Sequence, residues 1–229
     1  METKLNYKRT FLIGLAFLSI CSFWQMYDNI IPLILQNTYH LGETMTGAVM
    51  ALDNVLAIFL LPVFGTLSDK VHTKLGRRMP FIVAGTILAV IFMMLLPMID
   101  NAEKARWGTV ESFSNQVIFL AVLFFTLVSM GLYRSPAVAL MPDVTPNHLR
   151  SRANAVINLM GAVGGVYALI MIKVLVGKGE TPDYLPLFAS IAAVMAIAVG
   201  ILVMTIRENK LREEVEKAES ANAGTIEEK

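Results

Sequence analysis

Gly65-Thr66-Leu67-Ser68-Asp69-Lys70, Val71-His72-Thr73-Lys74-Leu75 and Gly76-Arg77-Arg78-Met79-Pro80-Phe81 follow one another as a short, densely charged hairpin between two long apolar runs. The meaning of such a hairpin depends on its flanks. Each flank is close to the roughly 20 apolar residues that a helix needs to cross about 30 Å of hydrocarbon. The stretch therefore reads as a turn at a membrane boundary.

The rest of the chain repeats this pattern. Of its 229 residues 55% are hydrophobic and 16% charged, where soluble domains carry about a quarter charged; mean hydropathy is +0.61. Apolar runs lie near residues 10–35, 45–67, 79–99, 117–140, 153–175 and 184–206. The polar, basic start from Met1 to Arg9 is like a signal peptide's. The run that follows is too long for one and contains Trp24, Asp28 and Pro32, so it reads as a retained first span. The expected fold is an all-α integral membrane bundle of six transmembrane helices, surrounded by lipid.

Six spans put both termini on one side. Only Lys104, Arg106, Lys173 and Lys178 fall on the opposite side, leaving fifteen of the nineteen Lys and Arg residues with the termini and the 65–81 hairpin. Positive charge favours the cytoplasm, so both termini are expected there, in a multi-pass protein of the cell membrane. From Arg207 to Lys229 the composition turns to Glu, Lys and Ala, which reads as a charged linker or tail that begins as a solvated helical extension.

Several classes are left without a motif. One cysteine, Cys21, precludes an intrachain disulfide and reads as a packing residue. No His, Cys or carboxylate cluster has metal-ligand spacing. No phosphate loop, nucleophile elbow or basic-aromatic nucleic-acid surface is present. Neither an enzyme nor a cofactor is expected.

Polar groups within spans are costly in hydrocarbon and mark function. Asp28 stands in the first run with Trp24, Gln25 and Tyr27. Asp53 and Asn54 open the second, and Arg134 follows Tyr133 in the fourth. A carboxylate there can exchange a proton when its pKa lies near the working pH, or it can pair with Arg134 or Lys173 and serve structure. Lys173 is expected to snorkel to the interface. Trp24, Gln25, Tyr27 and Asp28 suit a sugar, whose ring faces favour aromatics and whose hydroxyls favour amides and carboxylates. In the fifth run Asn154, Asn158, Gly161 or Ala162, and Gly165 share one helical face. That stripe is either a close packing seam or the wall of a polar cavity.

Gly65, Asp69, Lys70, Gly76, Arg77 and Arg78 together resemble the signature of the major facilitator superfamily. Resemblance implies that this loop belongs to a cytoplasmic gate, with Asp69, Arg77 and Arg78 holding the outward-facing state. The five-residue spacer Val71 to Leu75 and the continuation into Pro80-Phe81 are similar to sugar–proton symporters related to plant sucrose carriers, and to the glycoside–pentoside–hexuronide symporters. A second matching stretch runs from Arg134 to Asp143 and on through Arg150-Ser151-Arg152-Ala153-Asn154-Ala155. The coupling residues of those groups do not carry over. The sucrose-carrier positions fall on Leu127 and Val138, and the melibiose-type aspartates on Ala57 and Leu61.

A superfamily transporter has two six-helix halves with solute bound between them. The resemblance thus implies the N-terminal half of a carrier that takes up a sugar or glycoside with H+ or Na+ by alternating access. Its partner is a second six-helix half or another copy, and a fragment or N-terminal half is favoured over a homodimer. Two alternatives stay open: a carrier of another solute, including an exporter, and a non-transporting half that serves as an assembly partner.

Overall fold

The computed structural model describes residues 5–106, 113–177, 179 and 182–227. Lys4, Lys178 and Lys229 of the charge count lie outside the described residues. The helices are α1 (Tyr7–Asn37), α2 (Glu43–Met50), α3 (Leu52–Lys70), α4 (Met79–Lys104), α5 (Phe113–Asp143), α6 (Arg150–Leu175), α7 (Leu185–Thr205) and α8 (Glu208–Glu227), with a 3-10 turn at Asn147–Leu149 before α6. Six segments are long and apolar enough to cross a membrane: α1, α2 with α3, α4, α5, the 3-10 turn with α6, and α7. The expected all-helical membrane fold is the one observed.

The second span is interrupted at Ala51, but only as a bend. The Ala51 N–H still donates to the Gly47 carbonyl at 2.9 Å, and the Ala51 carbonyl accepts from Val55 at 3.2 Å. The 207–229 stretch does not extend the sixth span. The α7 ladder ends at Thr205, Ile206 turns extended, and a separate helix restarts at Glu208.

At the centre is α1, with 56% of its most apolar window buried, against none for α2 and α3. It packs chiefly on α6 and also on α7, while α4 packs on α5 and α7 and α3 lies on α5. Lipid tails are as apolar as leucine, so such contacts rest on close backbone approach and interhelical hydrogen bonds. Both are present. A Cβ at Gly164 would fall 2.0 Å from the Leu18 carbonyl, and one at Gly85 would fall 2.6 Å from the Tyr133 nitrogen. Ser22 donates to the Gly164 carbonyl at 2.9 Å. Tyr133 shares a 2.6 Å bond with Ser19 and donates to the Ala16 carbonyl at 3.1 Å.

The α1–α6 seam on α6 is Ala153, Ile157, Gly161, Gly164 and Ala168, all buried at steps of four, four, three and four. The polar stripe read from the sequence lies beside it and shares Gly161. Cys21 packs against that glycine, with its Sγ 2.9 Å from where a Cβ would stand.

A second polar cluster ties down the end of the bundle remote from the charged hairpin. Asp100, fully buried, accepts from Thr38 at 2.7 Å and from Lys104 at 2.6 Å. Lys104 also donates to the Pro182 carbonyl at 2.6 Å and stands 4.4 Å from the centre of the Tyr184 ring. Asn101 donates to Asp183, which in turn accepts from the Leu185 N–H at the start of α7. The Tyr184 hydroxyl pKa is raised, first by burial and then by the Asp100 charge. These bonds join α1, α4 and α7 and fix how the spans enter that face.

Gly164→Val should therefore destabilise the chain by about 3 kcal/mol or more, at or beyond the top of the overpacking range. Gly165→Ala, whose Cβ would meet only the Gln25 amide at 3.7 Å, should be neutral within about 0.5 kcal/mol. Thermal unfolding in detergent separates the two; equal melting temperatures would refute the seam.

Candidate functional site

Two polar regions are built on this frame. The first is a groove of about 430 Å³ between α1 and α6, lined by Phe17, Cys21, Trp24, Gln25, Asp28, Asn158, Gly161, Ala162, Gly165, Val166 and Leu169. It exists because the small residues of α6 leave space one position away from the packing seam. Polar ends from α1 (Gln25, Asp28) face the amide of Asn158 across an aromatic wall supplied by Trp24. Of the α6 stripe, Asn158, Gly161, Ala162 and Gly165 line the groove. Asn154 is exposed and does not line it.

Trp24 also borders a crevice of about 20 Å³ formed with Asp53, Leu56, Ala57, Leu60, Leu61, Leu127, Gly131 and Arg134. The Arg134 guanidinium sits 5.5 Å from the centre of the Trp24 ring, a cation–π contact. Asn54 is exposed and donates to Asp53 at 2.9 Å. Asp28 lines the groove and Asp53 the crevice, and Trp24 borders both. Among the described residues neither aspartate forms an ion pair with Arg134 or Lys173. The Tyr27 hydroxyl and the Trp24 indole N–H are buried with no hydrogen-bond partner among the described residues.

Ala57, Leu61 and Leu127, where the resemblance would put coupling carboxylates, all line this crevice. Asp53 is the one carboxylate lining it among the described residues, one helical turn from Ala57.

The second region is the charged hairpin. Arg78 is buried and reaches Asp69 at 2.6 Å, Asp143 at 2.9 Å and the Gly65 carbonyl at 3.2 Å, and it also donates to Ser68. Arg77 bridges the same two carboxylates, Asp143 at 2.8 Å and Asp69 at 3.4 Å. Burial works against the Arg77 charge. The bond to Asp143 and the fields of Asp143, Asp69 and Glu208 outweigh it and raise the guanidinium pKa further. Lys70 is exposed and takes no part in this network.

Glu208, fully buried, closes the region. Its carboxylate accepts from the backbone N–H of Arg77 at 2.9 Å, Arg78 at 3.0 Å and Met79 at 3.1 Å, the free amides that open α4. A negative charge there also meets the positive end of the helix dipole. Gly76 makes room for it. Its φ of +124° suits glycine, and any Cβ would stand 2.1 Å from the carboxylate. Asn209 adds a bond to the Thr73 carbonyl at 3.0 Å.

The role of Glu208 was missed in the sequence because Arg207 onward reads as a solvated tail by composition. A lone carboxylate two residues beyond a span was the available signal. Asp143 was visible in the Met141-Pro142-Asp143 stretch without its partners. Further along α8, Glu214 pairs with Arg9 of α1 at 3.8 Å and Glu219 accepts from the Asn147 N–H at 3.2 Å. The helix thus lies across the charged end of the bundle.

A family model described as Major Facilitator Superfamily matches residues 5–227. Among curated proteins the chain is similar to sucrose transport protein SUC4 of Arabidopsis thaliana, 34% identical over 48% of this chain and 22% of that protein. It is also similar to sucrose transport protein SUT3 of Oryza sativa subsp. japonica, 26% identical over 56% of this chain and 27% of that protein. An uncharacterized symporter of Synechocystis sp. is 24% identical over 61% of this chain and 25% of its own length. The matches thus span about a quarter of the length of these relatives.

Glu208→Gln keeps the shape of the cap and removes its charge. It should cost about 1.5–3 kcal/mol, the range for a hydrogen bond to a charged group. Hydrogen exchange at Arg77, Arg78 and Met79 should accelerate while exchange in α5 is unchanged, and Lys70→Gln should alter neither. Undiminished protection of those amides in the Glu208→Gln chain would refute the cap.

Proposed function

The chain belongs to the major facilitator superfamily, and from that premise we propose that it is the N-terminal half of a secondary active transporter. It takes up a sugar or glycoside together with a proton or cation by alternating access. The observation that carries this reading is the α1–α6 groove, where Trp24 presents an aromatic face beside Asp28, Gln25 and Asn158. A pyranose stacks an apolar face on the indole and directs its hydroxyls to the carboxylate and amides. The Trp24 N–H, without a hydrogen-bond partner among the described residues, adds a donor beside the groove. The sucrose transport proteins among its relatives agree with a sugar as solute.

In this reading Asp28 and Asp53 are the coupling groups. Like charges within range of one another are relieved when one takes a proton or both share a cation. The Arg134 guanidinium over Trp24 joins the coupling crevice to the solute wall, so loading one alters the field at the other. The Asp69–Arg77–Arg78–Asp143 network acts as the gate at the charged end, which the excess of Lys and Arg assigns to the cytoplasm. One half supplies one wall. The opposite wall comes from a second six-helix unit, in the same polypeptide or in a second copy.

The test is made with the complete transporter reconstituted in vesicles. Adding solute should alkalinise the medium, or require Na+ if the cation is sodium. Asp53→Asn should abolish coupled accumulation while leaving solute exchange, and Trp24→Ala should weaken solute binding at least tenfold. Coupled uptake unchanged in both Asp28→Asn and Asp53→Asn would remove these residues from coupling. Whole cells that accumulate less solute than controls would make the protein an exporter.

A further inference from the structure

A second recess lies on elements that take no part in the polar groove. Val83, Thr86, Ile87 and Val90 of α4 face Ala196, Gly200, Val203 and Met204 of α7 across a groove of about 440 Å³. Its floor exists because residues 196 and 200 are small. A Cβ on Gly200 would touch only the tip of Met204, at 3.9 Å. Its rim is apolar and open: Ile87 is 54% exposed and Met204 80%. The single hydroxyl in the lining, Thr86, donates to the Ile82 carbonyl at 2.7 Å, so no polar atom is left facing inward. A recess of this chemistry takes a hydrocarbon chain.

Its depth and charge point to which one. The α4 residues belong to the first half of Met79–Lys104 and the α7 residues to the second half of Leu185–Thr205, so the groove lies in the leaflet next to the charged hairpin. Arg207 stands three residues beyond Met204, where α7 has already ended, and is exposed. Lys210 follows in the first turn of α8, and Asn209 bonds to the Thr73 carbonyl at 3.0 Å, which brings Lys74 beside them. All three cations are exposed, and none forms an ion pair among the described residues. Three of the carboxylates on this side are committed elsewhere: Glu208 to the α4 amides, and Asp69 and Asp143 to the arginines. Basic residues at the mouth of an apolar interhelical groove are the elements of a phospholipid headgroup site.

We propose that the α4–α7 groove binds one acyl chain of an anionic phospholipid, with its phosphate held by Arg207, Lys210 and Lys74. The site abuts the Glu208 cap without sharing a residue with it, and it is independent of the solute reading. A filled groove braces α4 against α7 just where the arginines of the hairpin are anchored.

Native mass spectrometry of the full chain, equilibrated with equimolar phosphatidylglycerol and phosphatidylcholine of identical acyl chains, tests this. Phosphatidylglycerol should be retained preferentially, by about fivefold per basic residue engaged. Gly200→Leu and Ala196→Phe each fill the recess from positions with free space or exposure. Either should lower bound phosphatidylglycerol to the level of phosphatidylcholine with helical content unchanged. Arg207→Gln with Lys210→Gln should erase the headgroup preference. Equal retention of the two lipids by the unmodified chain would make these annular contacts only and overturn the proposal. So would preference that survives both groove-filling variants, or a chain dimer that Gly200→Leu dissociates, since a second copy would then be the occupant.

Discussion

One buried carboxylate holds the charged end together. Glu208 is the ligand for the first amides of α4, and three consecutive N–H groups converge on it. Without it those donors would be buried and unpaired, which costs more than the bonds themselves contribute. The same contact fixes the peptide planes from which Arg77 and Arg78 project, and so the angle at which they meet Asp69 and Asp143. Gly76 is required by both demands, its positive φ and the absence of a side chain. Burying two arginines is costly, and their opposing carboxylates offset this only in good geometry. The backbone cap supplies that geometry.

The middle of the bundle divides its labour differently. In α1 one face is spent on contact, with Leu18 and Ser22 against Gly164, and the neighbouring face, Trp24, Gln25 and Asp28, opens on the groove. The two cannot be varied separately, since widening the seam would swing the groove wall with it. A wall backed by direct backbone contact is stiff, so a displacement of α6 is passed to α1 rather than absorbed between them.

Hydropathy made the spans and their number plain, because a membrane imposes a length and an apolar composition that few other constraints imitate. The residues of the charged hairpin were plain for the same reason, as the densest charge between two apolar runs. What the sequence withheld was pairing at a distance. The partnership of Glu208 with α4 spans about 130 residues, and its place just beyond the sixth span marks it out without naming its partners. Lys104 counted in the sequence only as a charge between spans, and its pairing with the buried Asp100 depends on α7 closing over both. On α6 the polar stripe was recognised but sits one position from the true seam, because Gly161 belongs to both faces and Gly164 shows its role only through the nearness of Leu18.

The distance in sequence between Glu208 and the amides it serves also sets an order of events during biosynthesis. Spans leave the ribosome from the N-terminus onward, so α3, the hairpin and α4 enter the membrane long before residue 208 is made. Until then the arginines have Asp69, and later Asp143, but the start of α4 has no buried acceptor. The charged end is therefore completed only when α8, too polar to count among the candidate spans, has been made. A nascent chain arrested within α7 would carry all six spans begun and an α3–α4 turn whose first helical amides still lack the Glu208 carboxylate.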